Sequence, residues 1–254
     1  MSYMPQVAIV TGATSGFGDA IARRFVSQGT AVIATGRREE RLLSLQKELG
    51  ELLHPLVLDV RDRSAVVQAF ATLPPNFANV DLLVNNAGLS RGLEPAYDAD
   101  PSEWDEMIDT NCKGLAYCTH AVLPGMMSRK RGHIINMGSI AAEFPYPGGN
   151  VYGATKAFVQ QFSMNLRADL LGSPVRVTDI EPGLCGGTEF SVVRFRGDAE
   201  KAKGVYKGVQ PLTAEDVAEA VFWSATLPAH VNINLVQMMP VQQAFGPLAV
   251  HRSN

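Results

Sequence analysis

The chain of 254 residues reads as an α/β protein built on a doubly wound, parallel, seven-stranded sheet. Short β-rich runs alternate with stretches of helical period, the pattern of a parallel sheet covered on both faces. Glycine-rich turns follow the strands, where open sheets of this kind place their functional loops. No internal repeat, low-complexity tract or long Pro/Gly/Ser linker divides the chain, so residues 1–254 read as a single domain.

In chain order, the strands expected are Val7 to Thr11, Ala31 to Thr35, Leu56 to Val60, Asp81 to Asn85, His133 to Asn136, Val175 to Ile180 and Leu235 to Met239. A helix over Phe17 to Gln28 turns Ile21, Phe25 and Val26 inward. Another begins near Tyr152, with Val159, Phe162, Leu166 and Leu170 as its apolar stripe. Gly29 and Gly172 punctuate their ends.

With 46% hydrophobic and 19% charged residues and a formal net charge of −3, the composition is that of an ordinary globular chain able to bury a sizeable core. The basic residues are dispersed, the densest cluster being Arg129, Lys130 and Arg131, which argues against nucleic acid as a partner. Cys112, Cys118 and Cys185 form no CxxC pair, and the N-terminal residues show no basic leader or long apolar segment. A reducing cytoplasmic compartment without membrane insertion is therefore expected. His54, His120, His133, His230 and His251 lack metal-ligand spacing, so no metal is expected.

Thr11-Gly12-Ala13-Thr14-Ser15-Gly16-Phe17-Gly18 follows the first strand and opens a helix. Its GxxxGxG spacing lets the backbone turn tightly and presents free N–H groups and the positive helix end to a pyrophosphate. After the second strand, Gly36 is followed by Arg37 and Arg38, suited to a ribose 2′-phosphate and hence to NADP(H) over NAD(H). A solvated turn, or ribose binding by Glu39 or Glu40, are the competing readings. Asp59 and Val60, at the end of the third strand, are placed to flank an adenine, although an Asp there also serves as a helix cap.

Tyr152 and Lys156 lie four apart and share a helix face, with Ser139 thirteen residues upstream. A phenol beside an ammonium is an acid–base catalyst if its pKa falls by three units, which requires about 4 kcal/mol of preferential stabilisation of the phenolate. Taken alone, the pair is more often a packed ring and a solvated amine.

Gly12, Gly16 and Gly18, Asn85-Asn86-Ala87-Gly88, Asn111, Ser139, Tyr152, Lys156 and Pro182-Gly183 together resemble the short-chain dehydrogenase/reductase family over nearly the whole chain. The resemblance implies a Rossmann-like domain, a tetrad of Asn111, Ser139, Tyr152 and Lys156, and hydride exchange with a nicotinamide. It implies cofactor contacts from the glycine loop, including Thr14, Ser15 and Phe17, and from Asn86, Gly88, Tyr152, Lys156, Pro182 and Gly183. It also implies a homotetramer, against whose neighbouring subunits the apolar tail of Met238, Met239, Phe245, Leu248 and Val250 is placed to pack. Thr188 stands six residues after Pro182, where many members place a Thr five after, so its contact with a nicotinamide carboxamide is open.

Further segments, among them Gly148 to Tyr152, Asp179 to Leu184, Gly186 to Ser191 and Leu227 to Asn234, resemble the NADP-dependent 3-hydroxy acid dehydrogenases, which include serine and L-allo-threonine dehydrogenases. That likeness implies oxidation of the 3-hydroxyl of a small acid, or reduction of the matching semialdehyde. A carboxylate substrate calls for an arginine. Arg194 is the choice, within an expected lid over Cys185 to Tyr206, ahead of Arg196 and Arg91; the competing reading is that the lid arginines face solvent or pair with Glu189 or Asp198. A carbonyl reductase of neutral ketones and a non-catalytic nucleotide sensor are the alternative functions.

Overall fold

A computed structural model describes residues 3–246. The sheet has seven parallel strands in the order β3-β2-β1-β4-β5-β6-β7. They are β1 Val7–Val10, β2 Ala31–Gly36, β3 Leu53–Val57, β4 Leu82–Asn85, β5 Gly132–Met137, β6 Val175–Pro182 and β7 Leu235–Met238. In chain order the helices are α1 Gly16–Val26, α2 Glu39–Leu49, α3 Arg63–Ala71, α4 Pro101–Ile108, α5 Leu115–Arg129, α6 Asn150–Asp169, α7 Phe190–Arg194, α8 Ala199–Gly204 and α9 Ala214–Thr226.

Side chains alternate across the strands, so each sends its apolar residues to both faces. Ala8 and Val10 of β1 join Ile21 and Phe25 of α1, Leu42 of α2 and Val217 and Val221 of α9 in one core. Val7 and Ile9 join Val66 of α3, Val122 and Met126 of α5 and Leu166 of α6 in the other. Fully burying a large aliphatic or aromatic side chain stabilises by about 1.5–3 kcal/mol, and Ile9, Phe25 and Met126 are entirely buried. These two cores hold the sheet edges of the functional loops in place.

The helices begin where local hydrogen bonding favours it. Asp62 accepts from the Ala65 N–H ahead of α3, and Thr213 and Asp216 form a reciprocal capping box at α9. Gly29 and Gly172, both at φ +83°, end the helical runs before β2 and β6 as the sequence predicts.

One strand differs from expectation. The third strand was expected at Leu56 to Val60 and lies at Leu53–Val57, which puts Asp59 and Val60 in the loop beyond it. Its ladder pairs Val32 with Leu53 and Ala34 with Pro55. A proline inside a strand argues against that strand only if both edges are paired; β3 is at the sheet edge, where the missing N–H is harmless. Other boundaries shift by one or two residues. Among the described residues no helix is long and apolar enough to cross a membrane. Of the apolar tail, Leu248 and Val250 lie outside the described residues, as does His251.

Candidate active site

The chain builds β1, β2 and β3 outward in one direction and then returns to place β4 on the other side of β1. The loops after β1 and β4 therefore diverge and leave a crevice at their carboxyl ends. Hydrogen bonds lock the two loops together. The Thr11 hydroxyl oxygen accepts from the Asn86 and Ala87 N–H groups at 3.0 and 2.9 Å, and the Asn86 amide donates to the Thr11 and Gly12 carbonyls at 2.8 and 3.2 Å.

Glycine is required here for two reasons. Gly12 and Gly16 have φ of +68° and +56°, and a Cβ on Gly18 would collide with the Gly12 carbonyl. Helix α1 consequently starts against the loop, with its first-turn N–H groups open to the crevice. The resulting groove, of about 340 Å³, is lined by Gly12, Thr14, Ser15, Gly16, Phe17, Arg37, Arg38, Asp59, Val60, Asn86, Gly88, Tyr152 and Lys156. Its length, glycine floor and guanidinium-bearing end fit a dinucleotide. Gly18 packs behind the groove rather than lining it. Pro182 and Gly183 also stand outside it, on the wall of a second cavity of about 510 Å³; Gly183 is tied there by its N–H to the Met238 carbonyl at 2.8 Å.

At the guanidinium end, Arg38 donates to the Thr14 and Ser15 hydroxyls, both at 2.8 Å, and pairs with Glu189. Arg41, one turn along α2, holds the other Glu189 oxygen at 2.9 Å. These arginines hold the Glu189 carboxyl down to about 2. Arg41 belongs to no motif, and the only trace of it in the sequence is its i, i+3 position from Arg38 at the start of a helix. Arg37 is exposed beside the groove, and Asp59 accepts from Arg61 at 2.6 Å.

The two cavities meet at Tyr152, and Ser139 lies in the second. Ser139 caps a short turn after β5, its oxygen accepting from the Ala141 N–H at 3.2 Å. Tyr152 and Lys156 share one face of α6 and are both buried. The Lys156 ammonium donates to the Met137 carbonyl at 2.7 Å and lies 5.8 Å from the Tyr152 ring centroid. Burial lowers Lys156 to about 8, against the raising influence of Asp179, Cys112 and Glu181.

The side chains alone do not draw Tyr152 toward neutrality, and the positive charge of a cofactor remains part of the expectation. Burial pushes the Tyr152 phenol up; the Arg194 guanidinium and the Ser139 hydroxyl oppose it, and Lys156 is directed to a carbonyl instead. A lowered phenol in this site needs positive charge beyond that of these side chains.

Asn111 occupies a π-helical turn, Asp109–Gly114, between α4 and α5. Its side chain accepts from the Leu89 N–H and donates to the Leu89 carbonyl and the Thr155 hydroxyl, at 2.9, 2.9 and 3.0 Å. It thereby clamps the loop after β4 to the helix that carries Tyr152 and Lys156. π-Turns are expensive and occur often at functional sites.

Arg194, at the end of α7, reaches the Ser90 hydroxyl at 3.1 Å and the Tyr146 hydroxyl at 3.3 Å, and its guanidinium lies 5.3 Å from the Tyr152 ring centroid. Among the described residues no carboxylate pairs with it. The other candidates are already paired: Arg196 with Glu94 and Glu103, Arg91 with Glu106. Cys185 also lines this cavity, but burial pushes its thiol up to about 12, which suppresses the thiolate. Among the described residues no group of three or more His, Cys, Asp or Glu is arranged to hold a metal.

The family profile described as short chain dehydrogenase matches residues 6–198. The chain is 64% identical over 247 residues to the NADP-dependent 3-hydroxy acid dehydrogenase of Salmonella typhi, covering 97% of this chain and 100% of that one. It is 50% identical over 251 residues to the serine 3-dehydrogenase of Agrobacterium fabrum, covering 99% and 100%. Among solved structures, the closed form of serine dehydrogenase complexed with NADP+ superposes with a TM-score of 0.96 at 62% identity, covering 97% of this chain and 100% of that one. With strand order, glycine loop and the Ser139, Tyr152 and Lys156 cluster in agreement, this chain belongs to the short-chain dehydrogenase family.

Proposed function

We propose that this protein is an NADP-dependent dehydrogenase of small 3-hydroxy acids of the L-serine, L-allo-threonine and 3-hydroxypropionate type, working reversibly on the matching semialdehydes. The observation that carries this reading is Arg194. Of Arg91, Arg194 and Arg196 it is the one without a carboxylate partner among the described residues, and it stands beside Tyr152, where a substrate carboxylate would need it. The printed activities of the relatives support the same reading.

In this reading Ser139 donates to the substrate oxygen, Tyr152 exchanges its proton, and Lys156 supplies positive charge next to the phenol while holding the nicotinamide ribose. Asn111 fixes the geometry of these groups and orders a water leading from Lys156 to solvent. Arg194 orients the carboxylate so that the 3-hydroxyl reaches Ser139 and Tyr152. The bound dinucleotide supplies or accepts the hydride. Arg37, Arg38 and Arg41 would hold its 2′-phosphate, the loop from Gly12 to Gly18 its pyrophosphate, and Asp59, Val60, Asn86 and Gly88 would supply further contacts, Asp59 and Val60 beside its adenine. Pro182 and Gly183 border the nicotinamide end.

Residues 185–206, which include α7 and α8, act as a lid. Exposed apolar side chains on the outer helices, including Phe158, Met164 and Trp223, support association into a homotetramer. The reducing cytoplasm suits three free cysteines. Steady-state rates with L-serine, L-allo-threonine, 3-hydroxypropionate and a neutral secondary alcohol, each with NADP+ and NAD+, test the assignment. A preference for the neutral alcohol, or for NAD+, would reject it.

A further inference from the structure

Asp179 and Glu181 are two residues apart on β6, so their side chains leave the same face of the strand. They are 2% and 0% exposed. The Glu181 oxygens accept from the Gln160 and Gln237 amides at 3.1 and 3.0 Å. Among the described residues no hydrogen bond of normal geometry reaches either Asp179 oxygen, and the Gly138 N–H and the Glu181 carboxyl are its polar neighbours. Asp179 instead lies against Gly138, where a Cβ would stand 2.5 Å from its Oδ1 and 2.9 Å from the Glu181 Cγ. The next residue back, Met137, offers the carbonyl that receives the Lys156 ammonium.

An isolated buried carboxylate without a donor is strongly disfavoured, and a second one beside it is worse. Two carboxyls buried side by side resist ionising together. Glu181, with two side-chain amide donors, is the better anion; Asp179, with none, is the better acid. The charged and titratable groups facing the pair are Lys156 from α6 and Glu143, which reaches Gln160 at 2.9 Å, while Cys112 of the π-turn faces Lys156.

We propose that Asp179 is a positioning residue of the active site: it holds a proton shared with Glu181 and, on releasing it, supplies the negative charge that keeps the buried Lys156 ammonium charged on the Met137 carbonyl. The inference rests on the roles of Tyr152 and Lys156 proposed above. In support, burial and Glu181 raise Asp179 to about 7, and Lys156 titrates next, at about 8. The two groups titrate as a coupled set. As pH rises, loss of the Asp179 proton strengthens the hold of Lys156 on its own, so the ammonium persists into the range where the reaction needs it.

Asp179→Asn freezes the pair in its singly charged form. In steady-state oxidation of L-serine with NADP+, the alkaline limb of the kcat profile is expected to move down by about one pH unit, roughly a tenfold loss on that limb, while KM for NADP+ below pH 7 stays within about twofold, since the groove is untouched. Superimposable profiles in wild type and variant would overturn the proposal. A second measurement needs no variant: in the intact protein labelled at the aspartate carboxyl carbon, one buried resonance is expected to titrate near pH 7, and the absence of any such resonance overturns the shared proton. Undiminished activity of Tyr152→Phe would instead remove the catalytic reading, and with it the role of Asp179, while the resonance still reported on the pair.

Discussion

Arg38 and Glu189, 151 residues apart in the chain, form an ion pair at 2.8 Å across the mouth of the dinucleotide groove. The pair ties the end of β2 to the segment just before α7, and its carboxylate holds the guanidinium that a 2′-phosphate would use. Phosphate and Glu189 are thus competitors for the same donors.

Removing either partner should separate the two effects. Arg38→Ala is expected to raise KM for NADP+ roughly ten- to a hundredfold and to leave KM for NAD+ nearly unchanged. Glu189→Gln should lower KM for NADP+. Because Glu189 is ionised above about pH 2, its competition is constant across the working range, and the Glu189→Gln effect should not vary between pH 6 and 9. Initial rates with both cofactors at several pH values check this.

Tyr152→Phe keeps the ring and removes the proton donor. The expected loss in kcat is about 10²–10⁴-fold, with NADPH binding, followed by its fluorescence, retained.

Arg194→Ala should raise KM for 3-hydroxy acids roughly ten- to a hundredfold, with a much smaller change for a neutral secondary alcohol. Since the Arg194 charge also lowers the Tyr152 phenol, the same substitution should move the acidic limb of the oxidation profile to higher pH. Equal effects on charged and neutral substrates would reject a carboxylate role.

The buried Asp179 carboxyl also makes stability depend on pH. Its folded value, about 7, is raised from 3.8, so between these two pH values the unfolded chain binds fewer protons than the folded one and stability falls as pH rises. Asp179→Asn removes this slope. Its gain in stability over wild type should be absent below about pH 4 and reach ~4 kcal/mol by pH 8, as measured by thermal or urea unfolding along a pH series.

Gly18→Ala places a methyl against the Gly12 carbonyl, a backbone atom unable to swing aside. A loss of about 1–3 kcal/mol is expected, together with weaker NADPH binding, because the loop that meets the pyrophosphate must shift. Denaturation midpoints and NADPH titration report the two effects.

Much of the fold was legible because its signals are local. Strand and helix periods, the GxxxGxG turn, Gly29 and Gly172 as helix ends, and the shared face of Tyr152 and Lys156 all lie within a few residues of one another. The third strand lies three residues earlier than its apolar run suggests, with Pro55 inside it, which a strand tolerates at a sheet edge that only the fold reveals. The surroundings of Tyr152 were only partly legible for a related reason. Helical spacing puts Lys156 near the ring but does not reveal that the ammonium is directed to Met137, on a different element.

Residue order alone determined the alternation of strands and helices, the phosphate-suited loop and the shared helix face of Tyr152 and Lys156, since each follows from backbone geometry over short spans; Ser139 joined that pair through the family resemblance. Only the folded chain decided which arginine meets which acid: Arg38 and Arg41 with Glu189, Arg196 with Glu94 and Glu103, and Arg194 left facing Tyr152. It also decided that Asp179 is buried with no hydrogen bond of normal geometry to its carboxyl among the described residues. Charge pairing and desolvation depend on distances through space, and those are set by the packing of elements far apart in the chain.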